Sequence, residues 1–380
     1  MKIIYRITLI VSVFFLFGCA NTKRNILQET VASDNPKIKN VMAKANEYEL
    51  QIIYTQILRD QNNKVTFKDF TYNLNANNYF YPASTVKFPI AILTLEKLTT
   101  INNTSINTEY TIEGNPKKLQ FSEEISKVFA VSDNEASTNL YEFLGFDYIN
   151  ESMAAKGLAP FRLSHRLSGP DSGNLVTKPI TLYKDDNSIV NLPSIGNKAS
   201  TPLKLNKIQK GIGYIKNDTL KNGPFDFSKK NYYPLETLHN TMKRIVFPDA
   251  FKEKERFHLK EKDREFILFS MRNLPRNAGY DPIEYYDSYV KFFMFGDSKE
   301  NIPETIKIYN KVGVAYGTLM DCAYIVDTEN KVEFMVSATL LVNKDTIFND
   351  NKYEYDEIGI PFLAELGRQL YAKNRKLKTN

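Results

Sequence analysis

The sequence predicts an α+β fold: an antiparallel sheet flanked by helices, with a mainly helical subdomain. Three observations predict it. Stretches rich in β-branched and aromatic residues lie towards both ends of the chain, a block with helical spacing lies between them, and an amphipathic segment closes the chain. The 380 residues are enough for one large domain or two ordinary ones, and residues 36–380 read as one.

The first residues stand apart from the fold. Lys2 and Arg6 form a charged n-region, and Ile7 to Phe17 is an apolar run too short to span a bilayer. Leu16-Phe17-Gly18-Cys19 ends it. A small residue followed by cysteine at that point resembles the lipobox of bacterial lipoproteins, with Phe17 bulkier than usual there. The resemblance implies a signal peptide over 1–18, lipidation of Cys19, and an anchor in the cell envelope. With Lys23 and Arg24 nearby and no Asp at position 20, the outer membrane facing the periplasm is expected. Residues 19–35 are polar and read as a tether.

The folded body then unrolls in order. Pro36 to Asn46 has Ile38, Val41 and Met42 at helical spacing. Ile52 to Leu58 and Lys64 to Tyr72 have strand character, separated by the turn-like Asp60-Gln61-Asn62-Asn63. Phe88 to Leu98 is an apolar helix. Ser122 to Ala130 and Glu135 to Leu144 are two helices broken at Val131-Ser132-Asp133-Asn134, with Gly145 as a C-cap. From about 178 to 233 the chain turns polar and irregular, an insertion of the length that is functional or disordered. Leu235 to Ile245 and Lys260 to Met271 are helical. Ile306 to Val314, Thr318 to Val326 and Lys331 to Val342 are strands, and Tyr355 to Lys373 is the closing helix.

Composition narrows the chemistry. Hydrophobic residues make up 42%, charged residues 25%, and the net charge is +6. Charges of both signs are interspersed, apart from a basic tail at Lys373 to Lys378, so no basic stripe points to nucleic acid. The chain has 2 cysteines; beside Cys19, Cys322 sits in an apolar stretch and reads as a buried small hydrophobe. His165, His239 and His258 have no metal-ligand spacing, and no glycine-rich phosphate loop is present, so neither metal nor cofactor is expected.

Three short motifs carry chemistry. Ser84-Thr85-Val86-Lys87 precedes the apolar helix. At this spacing serine and lysine share one face of the first turn, beside unpaired N–H groups and the positive dipole end. A neutral lysine can deprotonate such a serine, but its reference pKa of about 10.4 must first be lowered by burial or a cationic neighbour. Ser132-Asp133-Asn134 lies on the break between two helices. Lys311-Val312-Gly313 lies on a strand near the C-terminus, where lysine supplies charge and glycine lets a substrate approach. Each motif occurs twice. Ser288-Tyr289-Val290-Lys291 opens no long apolar helix, Ser33-Asp34-Asn35 precedes the fold, and Lys221-Asn222-Gly223 lies in the insertion.

The set at Ser84, Ser132 and Lys311, in that order and context, resembles the penicillin-recognising serine enzymes, and specifically class A β-lactamase-like serine hydrolases, from about Pro36 to about Lys373. The resemblance implies a β-lactamase/transpeptidase-like fold and an acyl-enzyme on Ser84. Lys87 would be its base, Ser132 would pass a proton to the leaving nitrogen, and Lys311 would hold the cleft positive. Asn134 would bind the substrate's side-chain amide, or cap the following helix. Gly313 would admit the substrate, and the N–H groups of Ser84 and Val314 would form the oxyanion hole. The substrate would be a β-lactam or a related, peptidoglycan-derived amide or ester. Other readings are a penicillin-binding peptidase or sensor that deacylates slowly, and a non-catalytic envelope-binding lipoprotein. Three departures bear on this choice. The family's deacylating glutamate is missing from Arg162 to Asn174, where Asp171 and His165 are weak substitutes. Val312 stands where a threonine or serine usually binds the substrate carboxylate. No arginine lies in Thr318 to Cys322.

Overall fold

The computed structural model describes residues 24–167, 169 and 172–379; Cys19 and Asp171 lie outside them. The described chain opens on helices α1 (Ile26–Val31) and α2 (Pro36–Met42). Strands β1 (Gln51–Arg59) and β2 (Val65–Tyr72) form a hairpin. It turns at Asp60, whose carboxylate accepts from the N–H groups of Asn62 and Lys64. A 3₁₀ turn, Ala83–Val86, runs directly into α3 (Lys87–Leu98). The hairpin β3 (Glu109–Ile112) and β4 (Asn115–Gln120) precedes α4 (Phe121–Ala130), α5 (Asn134–Leu144) and α6 (Phe146–Ala155). Short strands follow: β5 (Ile180–Tyr183), β6 (Ile189–Leu192), β7 (Gln209–Lys210), β8 (Gly213–Lys216), β9 (Thr219–Asn222) and β10 (Phe225–Asp226). Then come α7 (Leu235–Val246), α8 (Glu261–Arg272), β11 (Ile306–Ala315), β12 (Thr318–Asp327), β13 (Val332–Leu341), β14 (Ile347–Phe348) and α9 (Ile360–Thr379).

The central sheet is antiparallel with strand order β11-β12-β13-β1-β2, which joins the two ends of the chain and leaves β11 at an edge. Strand alternation divides two cores. On β12, Met320, Cys322 and Tyr324 face α3, α5 and α7, while Leu319, Ala323 and Ile325 face α1, α2 and α9. On β1, Ile53 and Ile57 join the first core, and Ile52 and Tyr54 the second. Cys322 is fully buried, as its apolar setting predicts, and burial pushes its thiol pKa up. Helix α3 is apolar nearly all round and is buried on every side except at Lys97. Each Ile, Leu or Phe buried there contributes about 1.5–3 kcal/mol.

The sequence reading needs correction at its polar segments. The tether expected over 19–35 is folded from Asn25 onward. Asn25 and Gln28 form a capping box for α1, and Leu27 is buried against the sheet's outer core. Asn35 caps α2 through Lys37 N–H, 2.9 Å, and donates to Glu365, 2.9 Å. Its polar side chains are caps, and polarity alone could not tell them from a solvated linker. The insertion at 178–233 carries the short strands β5 to β10. In it, β5 and β6 extend β3 and β4 into a sheet of order β4-β3-β5-β6. Its remainder builds a third core, where Phe227 and Tyr232 pack with Tyr79, Tyr81 and Phe348. Strands of two to four residues are too short to display a period.

Candidate active site

The nucleophile turn is built from both sides. Ahead of it, Tyr79, Phe80 and Tyr81 are buried, and Ala83 takes a left-handed φ of 45° to start the 3₁₀ turn. Thr85 Oγ1 donates to Pro82 O at 2.6 Å and locks the turn. Thr85 and Val86 are buried away from the cleft, while Ser84, beside Ala83, lines it. Behind it runs β11. A Cβ added at Gly313 would stand 2.8 Å from Pro82 O and 3.2 Å from Thr85 Cγ2. Glycine here sets the distance between the strand and the turn. Gly313→Ala is expected to lower the acylation rate of Ser84 by about 10²-fold through a misplacement of under 1 Å, in protein that still folds by circular dichroism. Acylation at the unaltered rate would contradict this spacing role.

Two lysines converge on Ser132. Ser132 sits between α4 and α5 with a left-handed φ of 59°, a conformation costing about 1–3 kcal/mol for a non-glycine residue. Lys87 Nζ donates to its carbonyl oxygen and, at 3.4 Å, to its Oγ. Lys87 also donates to Asn134 Oδ1 at 2.6 Å. Lys311 Nζ reaches the same Ser132 Oγ at 2.7 Å. Among the described residues, no hydrogen bond joins Lys87 to Ser84. Burial pushes the Lys87 pKa down to about 7 against the opposing field of Asp133. Lys311 lies well below its usual range, by burial and then by the charge of Lys87. A lysine that can be neutral near pH 7 can accept a proton. The cap of α5 is Asp133, which accepts from Ala136 N–H at 2.8 Å. Asn134, expected as a possible cap, is the first helical residue, and its side chain serves Lys87.

Ser84, Asn134 and Val314 stand where two halves of one cleft meet along the free edge of β11. One half, about 470 Å³, is walled by Tyr81, Tyr316, Tyr353, Asn349 and Asn351. The other, about 390 Å³, contains Ser132 and is lined by Val290, Phe292, Val312, Leu319 and Ile360 and by Tyr286, Tyr289 and Tyr355. Tyr316 reaches the first half from the two-residue turn between β11 and β12, where Tyr316 and Gly317 take φ of 54° and 74°. Two left-handed residues match the strand twist of such a hairpin, and glycine meets that demand at the second position. Among the described residues lining the two halves, Asp356 is the charged one.

The loop carrying the weak deacylation candidates is fastened to the helical subdomain. Arg166 Nε donates to Glu142 Oε1 at 2.7 Å, and the guanidinium also donates to the carbonyls of Asn174 and Val176. His165 stacks on Tyr81 at 6.1 Å and 1°. Its Nδ1 donates to Arg166 O, 2.7 Å, and its Nε2 accepts Asn231 N–H, 3.4 Å. Burial pushes its pKa down to about 4. Both nitrogens are committed, so His165 is structural here. Asn174 caps Val176 N–H and faces its own loop.

The structure thus brings Ser84, Lys87, Ser132, Asn134, Lys311, Gly313 and Val314 to one cleft. The repeated motifs go elsewhere. Ser33 and Asn35 serve the caps around α2, and Lys221 is exposed on β9. Ser288 gives its hydroxyl to Ser298 O, 2.5 Å, while Lys291 is buried on Met271 O and Asn310 Oδ1, each 2.6 Å. Asn310 passes its amide to Asp321, 2.9 Å, directly behind Lys311. Sequence reading missed Asn310, Asp321 and the cleft tyrosines. For Asp321 the available signal was a carboxylate inside the apolar run of β12, Leu319 to Val326.

Comparison with known proteins bears on the fold that holds this site. Residues 35–188 match the model of the β-lactamase enzyme family. A class A β-lactamase from Bacteroides cellulosilyticus shares the fold with a TM-score of 0.52 at 12% identity, over 94% of this chain and 100% of that one. A β-lactamase from Sphaerobacter thermophilus gives 0.51 at 12% identity, over 90% and 94%. One from Xanthomonas campestris gives 0.50 at 13%, over 92% and 98%. No curated protein matches the chain in sequence. At such identities the structural likeness shows the fold alone, which is that of class A β-lactamases. The family match runs from Asn35 to Ser188, less than half of the chain, and the shared fold extends the likeness over most of its length.

Proposed function

We propose that the protein is a serine hydrolase that forms an acyl-enzyme on Ser84 with an amide or ester substrate. The observation that carries this reading is Ser132 Oγ, held between Lys87 and Lys311 at the floor of the cleft to which Ser84 is exposed. In the acylation step, Ser84 Oγ bonds to the substrate carbonyl carbon as its proton passes to neutral Lys87. The N–H groups of Ser84 and Val314 are assigned to the oxyanion. The carbon–heteroatom bond breaks, and the leaving atom takes a proton from Ser132, which is reprotonated from the lysines. Water then releases the acid.

Slow release is the second reading, and one observation favours it. On the cleft side walled by Tyr81 and Leu167, the described residues include no carboxylate, and both ring nitrogens of His165 are taken. A penicillin-binding peptidase or sensor would keep such a long-lived acyl-enzyme. We also propose that Cys19 carries a lipid holding the protein in the cell envelope, on the sequence pattern alone. Ser84→Ala tests the main reading: hydrolysis and acyl labelling are expected to fall to background, and unchanged hydrolysis would sink it.

A further inference from the structure

We propose that the leaving half of the substrate is an uncharged group without a carboxylate, so that the natural substrate is a neutral ester or amide on that side. The inference rests on the Ser84 acylation reading and deepens it.

Ser132 assigns the two halves of the cleft. It is the proton donor to the departing atom, and it lines the 390 Å³ half but not the 470 Å³ half. The leaving group therefore occupies the side lined by Val290, Phe292, Val312, Leu319 and Ile360 together with Tyr286, Tyr289 and Tyr355. Val290, Phe292, Val312, Leu319 and Ile360 continue the sheet's outer core up to the cleft. Val312 is buried and offers no hydrogen-bond donor from its side chain. Its backbone oxygen already accepts from Lys311, 3.0 Å. A carboxylate placed here would find no guanidinium or ammonium on the wall. The charged side chain present is Asp356, which repels it. Lys311 lies beneath the surface, fully buried and occupied by Ser132 and Val312. An uncharged group meets no such repulsion from Asp356. The half lined by Tyr81, Tyr316, Tyr353, Asn349 and Asn351 is left for the acyl part.

The test uses two esters with one acyl group, phenyl phenylacetate and its 3-carboxyphenyl analogue. Acylation of Ser84 is followed by phenol release and intact mass, with each rate divided by its hydroxide-catalysed rate. The neutral ester is expected to acylate Ser84 at least about tenfold faster. Asp356→Asn and Val312→Thr are each expected to narrow that ratio at least about threefold by raising the rate of the carboxylated ester. Equal or faster acylation by the carboxylated ester overturns the leaving-group assignment and leaves the Ser84 reading standing. A ratio unmoved by both substitutions also overturns it. Absence of any Ser84 adduct with either ester overturns both.

Discussion

Lys87→Met is expected to lower the acylation rate of Ser84 by about 10²–10⁴-fold, the usual contribution of a positioned general base. Methionine keeps the length of the buried side chain and removes the amine. Unaltered protein should show the reason in its pH profile. Burial holds Lys87 at about 7. Below that pH the amine is protonated and can take no proton from Ser84; above it the amine is free. The acylation rate should therefore climb through about pH 7 and level off at higher pH, and the limb should vanish in Lys87→Met. A rate that is flat across this range in the unaltered protein would contradict the assignment. The hydrogen bonds from Lys87 to Ser132 and Asn134 place the amine without placing it on Ser84. The Lys87–Ser84 contact must then tighten when substrate arrives, as catalytic contacts often do.

Glu142→Ala is expected to cost about 3–5 kcal/mol of stability, measured by urea unfolding. Glu142 and Arg166 form an ion pair at 2.7 Å with side chains 4% and 6% exposed. The second carboxylate oxygen accepts Lys178 N–H, also at 2.7 Å. Removing the carboxylate takes the Glu142 anion from beside a buried guanidinium and opens the start of the insertion. The ring of Tyr141, 4.5 Å from the guanidinium carbon, cannot replace a charge. Leu167, the next residue of this loop, lines the acyl half of the cleft, so the same substitution should also loosen that wall. A loss below about 1 kcal/mol would show the pair to be solvated in solution.

The parts of the fold legible in the sequence were those with a long period and a matching boundary. Helix α3 shows a continuous apolar run. The helix pair around Ser132 shows amphipathic spacing with a polar break, and β11 to β13 show runs of β-branched residues ended by Asp327 to Asn330. The candidate set was legible because Ser84, Ser132 and Asn134 fall at helix boundaries and Lys311 on a strand near the C-terminus. The walls of the cleft were not. Tyr81, Tyr316 and Tyr353 meet across more than half the chain, and no local pattern records such a meeting. Lys291 shows the opposite failure. Its motif matches that of Lys87, and burial likewise lowers it to about 7. Yet it serves a buried polar network with Asn310, and only the packing around each lysine distinguishes the two. Asn25 and Asn35 show why the supposed tether was misread, since a capping asparagine and a linker asparagine are the same letter.

Time-resolved intact-protein mass spectrometry of the chain mixed with phenyl phenylacetate and, separately, with a penicillin tests acylation most directly. Peptide mapping would locate the adduct. A mass increase of one acyl group on Ser84, forming in the unaltered protein and absent in Ser84→Ala, is the expected result with the ester. Its decay time separates turnover from slow release. An unmodified Ser84 with both reagents, in folded protein at a pH above 7, would contradict the acyl-enzyme reading.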